Sequence, residues 1–196
     1  MSGIMNIEKA RTLIDQLQSQ SKFEKMIGIC SILTQLTAPD GLKPIIVGGF
    51  AVEIYSRSEY TTVDIDLVFA RRDIADQYLQ QLGFIRSGRH WYHENLGVSV
   101  EIPGDMLDLA DPDKVIKLNL PDQNSVYVIG IEDIILDRLR ACVHWSSTAD
   151  CEWGLRLFLL HTARLDMDYM ERKADEDLTS NKLKSWLKIK RNGSTS

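Results

Sequence analysis

An α+β fold, with a mixed β-sheet core flanked by helices and a helical C-terminal region, is what three observations along this 196-residue chain predict. Helical periodicity dominates residues 1–44. Short β-rich runs separated by turn residues fill residues 45–130, with two helical stretches among them. From residue 131 to 190 the apolar residues recur at helical spacing again, and residues 191–196 are expected to form a disordered tail.

The elements follow in order. Asn6 and Ser21 are positioned to cap two N-terminal helices, and Glu24 completes a capping box with Ser21. In the second helix Phe23, Met26, Ile27, Cys30 and Leu33 form one apolar stripe. Pro39-Asp40-Gly41 and Pro44 mark a loop. Ile45-Ile46-Val47 reads as a short buried strand that turns at Gly48-Gly49 into a helix from Phe50 to about Ser56. Thr62 to Phe69 is a second strand, and Arg72 to Leu82 a helix that Gly83 terminates. Further strands are expected at Phe84-Ile85, His90 to His93, Val98 to Ile102, Val115 to Leu118 and Val126 to Ile129. Asn95-Leu96-Gly97 joins two of them as a hairpin loop. Beyond Ile131, one helix buries Ile134, Ile135, Leu139, Cys142 and Val143. A second, capped by Ser147, buries Cys151, Leu155, Phe158 and Leu159. Two more are expected near Asp166 to Leu178 and Asn181 to Ile189.

Composition narrows the class. A chain that is 44% hydrophobic and 26% charged suits a water-soluble globular protein. No apolar run approaches the roughly 20 residues a membrane span needs, and the N-terminus lacks a secretory pattern, so a cytoplasmic protein without membrane partners is expected. Three cysteines, Cys30, Cys142 and Cys151, have no framework spacing, which suits a reducing compartment and core packing. The net charge of −5 argues against a generally basic nucleic-acid binder. Lys182, Lys184, Lys188, Lys190 and Arg191 nonetheless make the C-terminus locally basic, either as a solvated helix face or as an arm for RNA phosphates.

The chemistry concentrates in the acids. In Thr62-Val63-Asp64-Ile65-Asp66-Leu67 the strand alternation puts Asp64 and Asp66 on one face, with Cα atoms about 6.6 Å apart. Two carboxylates so close resist joint ionisation unless a cation joins them, and Mg²⁺ (or Mn²⁺) prefers such oxygen ligands together with substrate phosphates. In Val98-Ser99-Val100-Glu101-Ile102 the same alternation turns Glu101 away from the core. If that strand lies beside the first, three carboxylates share a face, as a two-metal site requires. The plain alternative is that each acid is the solvent side of an amphipathic strand, though Asp is disfavoured in strands. Gly48-Gly49 at a strand-to-helix turn permits positive φ and close approach of an anion to the helix N-terminus.

Ile46-Val47-Gly48-Gly49-Phe50-Ala51-Val52-Glu53, followed by Thr62-Val63-Asp64-Ile65-Asp66-Leu67, resembles the signature of the polymerase-β-type nucleotidyltransferase superfamily. More narrowly, it is similar to small bacterial proteins related to AbiEii-type toxins of toxin–antitoxin systems. The resemblance runs from about Ile45 to His161 and includes Ile131 to Ala141 and Asp150. It implies a nucleotidyltransferase-type sheet core. It also implies a reaction that moves an NMP group from an NTP to a hydroxyl of RNA or tRNA, a protein or a small molecule, with an antitoxin as a possible protein partner. Asp64, Asp66 and Glu101 would be catalytic and hold the metal, with Glu101 helping to deprotonate the acceptor. Gly48 and Gly49 would cradle phosphates. By the same match Arg138 takes a basic role near the nucleotide and Asp150 an acidic one. An arginine binds phosphate but does not transfer protons. The rival expectation is a catalytically inactive relative that binds a nucleotide or a partner.

Other residues carry less. His90 and His93, three apart in a strand, face opposite sides and cannot share an ion. Arg57, Arg71, Arg72 and Arg89 lie near the motif ends, and the sequence does not choose among them as phosphate ligands.

Overall fold

The computed structural model describes residues 5–193, which fall into two compact units that divide between Ile129 and Gly130. In the first unit the chain runs through α1 (Ile7–Gln16), α2 (Lys22–Thr37), β1 (Ile45–Val47), α3 (Gly48–Tyr55), β2 (Asp64–Val68) and α4 (Arg72–Gln81). It continues through β3 (Ile85–Ser87), β4 (His90–His93), β5 (Val98–Gly104), β6 (Ile116–Asn119) and β7 (Ser125–Val128). The strands form one seven-stranded sheet in the order β3-β4-β5-β2-β1-β7-β6. It is mixed: β2 is parallel to β5 and β1 to β7, while the other neighbours are antiparallel.

Local chemistry explains the helix starts. Asn6 accepts the Lys9 amide at 2.9 Å, and Ser21 and Glu24 close the expected capping box. Alternation then sorts the sheet. Ile65 and Leu67 of β2 and Val98, Val100 and Ile102 of β5 are buried, whereas Asp64, Asp66, Ser99 and Glu101 on the opposite face are half-exposed. Met26, Ile29 and Leu33 of α2 are buried, and that helix packs against β5, β7 and α4. Burying each such side chain contributes about 1.5–3 kcal/mol. One face of the central strands is therefore core, and the other remains available for chemistry.

His93 lies on the core side, opposite His90, as alternation requires. Its ring meets Phe84 edge-on at 4.9 Å, and Nδ1 accepts the Leu96 amide at 3.4 Å. Burial pushes its pKa below the ordinary value. The unfolded chain therefore binds this proton first, so stability is lost as pH falls below about 6.5, the ordinary imidazole value. The urea midpoint of the wild type should fall as pH drops from about 7.5 to 5.5, while His93→Gln should show a flatter profile. Parallel pH profiles for the two proteins would contradict this account.

The second unit comprises α5 (Ile131–His144), α6 (Thr148–His161), α7 (Met167–Glu176) and α8 (Ser180–Gly193). Ile134, Ile135, Leu136 and Leu139 of α5 form its core with Leu157, Phe158, Met170 and Trp186. On α6 the buried residues are Gly154, Leu157 and Phe158, while Cys151 and Leu155 are half-buried and Leu159 is exposed. The expected stripe was thus turned by about one position. The Trp186 indole explains the shift, because a Cβ on Gly154 would lie 2.6 Å from its Cη2, so only glycine lets the ring pack there. Charges on the buried side of α5 are matched. Asp133 accepts the Tyr169 hydroxyl at 2.5 Å, Glu132 accepts the Asp166 amide at 3.0 Å, and Arg140 pairs with Asp177 at 2.5 Å. Lys182, Lys184, Lys188 and Lys190 lie on α8, which stays helical to Gly193, past the point where disorder was expected. Side chains from Arg191 onward, and residues 194–196 altogether, lie outside the described residues.

The cysteines require a correction. Cys142 and Cys151 form a disulfide between α5 and α6 instead of packing as separate core thiols, and the free thiol is the buried Cys30. The odd count concealed a pair, and the support that unpaired cysteines lent to a reducing compartment goes with it. A closed loop this short stabilises by about 2–3 kcal/mol relative to the reduced chain. Reduction should therefore lower the urea midpoint of the second unit, and superimposable curves with and without reductant would contradict that. Among the described residues no helix is long and apolar enough to cross a membrane.

Candidate active site

The site begins where β1 gives way to α3. Gly48 has φ +56°, a conformation costly for residues with a Cβ, and a Cβ built there would lie 2.7 Å from Asp66 Cγ. Two constraints thus require glycine at one position. Gly49 donates its amide to Asp66 Oδ2 at 3.1 Å, joining the helix N-terminus to the acidic strand. A Cβ on Gly49 would come within 3.2 Å of Thr62 Oγ1.

Asp64 and Asp66 stand on the half-exposed face of β2. The Ser99 hydroxyl from β5 donates to Asp64 Oδ1, and the Asp64 amide reaches Thr62 Oγ1 at 3.4 Å. Thr62 is held in turn by Glu53, a buried carboxylate on α3 that accepts the Thr62 amide at 3.0 Å. The entry to the Asp strand is therefore pinned by the helix that follows the glycines.

Glu101 is the register partner of Asp66 on the parallel strand β5. The sheet brings the three predicted carboxylates to one face, but Glu101 is engaged elsewhere. Arg89 Nε pairs with its Oε1 at 2.7 Å, and His90 Nδ1 lies 3.7 Å from Oε2. Among the described residues no group of three or more His, Cys, Asp or Glu is placed to hold a metal ion. Asp64 and Asp66 still offer the oxygen donors that a hard divalent cation takes, in the number it commonly uses when substrate phosphates complete its shell. The pair fits such a cation; the full three-carboxylate set is not assembled.

In the second unit Arg138 Nη1 pairs with Asp150 at 2.7 Å and Nη2 with Asp137 at 2.6 Å. The Arg138 and Asp150 singled out by motif are therefore neighbours, twelve residues apart across the α5–α6 hairpin. Ser99, Thr62 and Glu53 were not foreseen as parts of the site. Ser99 shares the alternation of Glu101, a signal that was legible. The Glu53–Thr62 contact depends on how α3 folds back and left no such trace.

The first unit thus carries a mixed sheet with two Asp residues on one strand and a glycine turn against them. Among solved structures, the chain is similar to the solution structure of the antibiotic-resistance factor ANT(2'')-Ia, a protein with substrate-regulated conformational dynamics. The two are 17% identical with a TM-score of 0.53, over 90% of this chain and 100% of that one. No family model and no curated protein matches the chain. At this identity the likeness establishes the fold.

Proposed function

We propose that this protein transfers a nucleotidyl group from an NTP to an acceptor hydroxyl and releases pyrophosphate. The observation that carries the reading is the Gly49 amide on Asp66, which couples the glycine turn to the acidic strand in one rigid element. Phosphate oxygens would sit against the amides at the start of α3, where the helix dipole favours negative charge. A divalent cation, Mg²⁺ or Mn²⁺, held by Asp64 and Asp66 would supply charge neutralisation there. Ser99 fixes the rotamer of Asp64, and the Glu53–Thr62 contact fixes the approach of its strand. The acceptor oxygen forms a bond to the α-phosphorus as the bond to the β-phosphate oxygen breaks. Glu101, opposite Asp66, is the group we assign to take the hydroxyl proton. A two-metal arrangement would require Glu101 to leave Arg89.

The acceptor we favour is a small molecule bearing a hydroxyl. Likeness to an antibiotic-resistance factor and the net charge of −5 both support it over RNA. The RNA or tRNA acceptor rests on the motif resemblance and the basic C-terminal run, and the toxin–antitoxin role on the resemblance alone. The pairing of Glu101 with Arg89 favours a second reading, a nucleotide-binding relative that transfers nothing. Incubation of the full chain with Mg²⁺, each α-labelled NTP and a panel of hydroxylated antibiotics, or total RNA, separates these readings. Label on a small molecule supports the proposal, label on RNA redirects the acceptor, and NTP binding without any transfer favours the second reading.

A further inference from the structure

The half-exposed face of the sheet crowds like charges. Asp66 and Glu101 are direct register partners, and Asp64 lies two residues along the same strand. Carboxylates so placed repel one another, and paired strands with like charges opposite are destabilised. Each of the three has its own donor: the Ser99 hydroxyl for Asp64, the Gly49 amide for Asp66 and the Arg89 guanidinium for Glu101. Of these donors, Arg89 alone carries a full positive charge. It stands in the β3–β4 turn beside Gly88 at φ +63°, and its side chain is 62% exposed. So exposed a side chain is held over the site by Glu101 and not by packing. His90, the register partner of Glu101 on the other side, adds a nitrogen 3.7 Å from the second oxygen.

We propose that Arg89 is the resident counter-cation of Glu101 and yields this carboxylate when a divalent cation enters beside Asp64 and Asp66. The inference rests on the nucleotidyl-transfer reading and adds to it the order in which the site is assembled. In the metal-free protein Arg89 balances the acidic row. Once a cation brings more positive charge to that row, Arg89, more exposed than His90, turns into solvent, and Glu101 joins the two Asp residues. Arg89 is thus a positioning residue that acts through Glu101.

Mn²⁺ titration of the full chain without nucleotide, read by electron paramagnetic resonance, tests this. Arg89→Gln should bind Mn²⁺ about fivefold more tightly than wild type, the scale of one partly exposed ion pair. Arg89→Lys, which keeps the charge, should stay near wild type. In EDTA the Arg89→Gln protein should melt at a lower temperature and show the larger rise on adding Mn²⁺. Equal or weaker Mn²⁺ binding by Arg89→Gln, with wild-type binding intact, would overturn the exchange and leave the functional reading standing. Absence of Mn²⁺ binding in both proteins, even with an NTP present, would sink the functional reading and the exchange together.

Discussion

Replacing Asp66 with asparagine is expected to lower the proposed nucleotidyl transfer at least about a hundredfold while leaving the fold in place. Asparagine keeps the size of the side chain and an oxygen that accepts the Gly49 amide, so the link between β2 and α3 survives. What it loses is the charge that a divalent cation needs from its ligand. Transfer chemistry of this kind depends on positioning and charge neutralisation, with little covalent work for the protein, so removing one anionic ligand acts directly on the barrier. Circular dichroism and melting temperature should stay close to wild type as kcat/KM for the NTP collapses. A loss of only a few-fold would mean that Asp66 holds no metal. Asp66→Ala should be worse in a second way, because the Gly49 amide then loses its acceptor.

Gly48→Ala combines two injuries and is expected to abolish activity while also destabilising the fold. The backbone at Gly48 has φ +56°, where a residue with a Cβ costs about 1–3 kcal/mol. The new Cβ would also lie 2.7 Å from Asp66 Cγ and 3.0 Å from its Cβ, so that carboxylate must leave its present position. Gly41 provides the control. It has φ +70° with nothing within 4 Å of a built Cβ, so Gly41→Ala should show strain alone. If Gly48→Ala and Gly41→Ala lose equal stability and Gly48→Ala keeps its activity, the contact with Asp66 is irrelevant to function.

Much of this architecture was legible because its signals are local. Alternation in Asp64–Val68 and Val98–Gly104 is enough to separate core from open face, and the Ser21–Glu24 box is written in four consecutive residues. Strand order is not local. Nothing near Glu101 states that β5 lies parallel to β2 in the register that puts it opposite Asp66, and the motif resemblance implied a role for Glu101 without that register. The rotamer of Glu101 was beyond pattern altogether, since Arg89 reaches it from a turn preceding the adjacent strand. The disulfide escaped for a similar reason: Cys142 and Cys151 meet only after α5 and α6 fold into a hairpin, and no spacing rule marks it. On α6 the periodicity was sound but its phase was set by Trp186, a residue from another helix that demands a glycine beneath it.

The central claim is that Gly48-Gly49 and the Asp64–Asp66 pair form one site for an NTP and its metal. A crystal structure of the full chain grown with Mn²⁺ and a non-hydrolysable NTP, with data collected at the manganese absorption edge, tests it most directly. The account predicts anomalous density bridging the Asp64 and Asp66 carboxylates and the triphosphate, with phosphate oxygens against the amides at the start of α3. Nucleotide bound elsewhere, or bound there with no manganese on either aspartate, would contradict it.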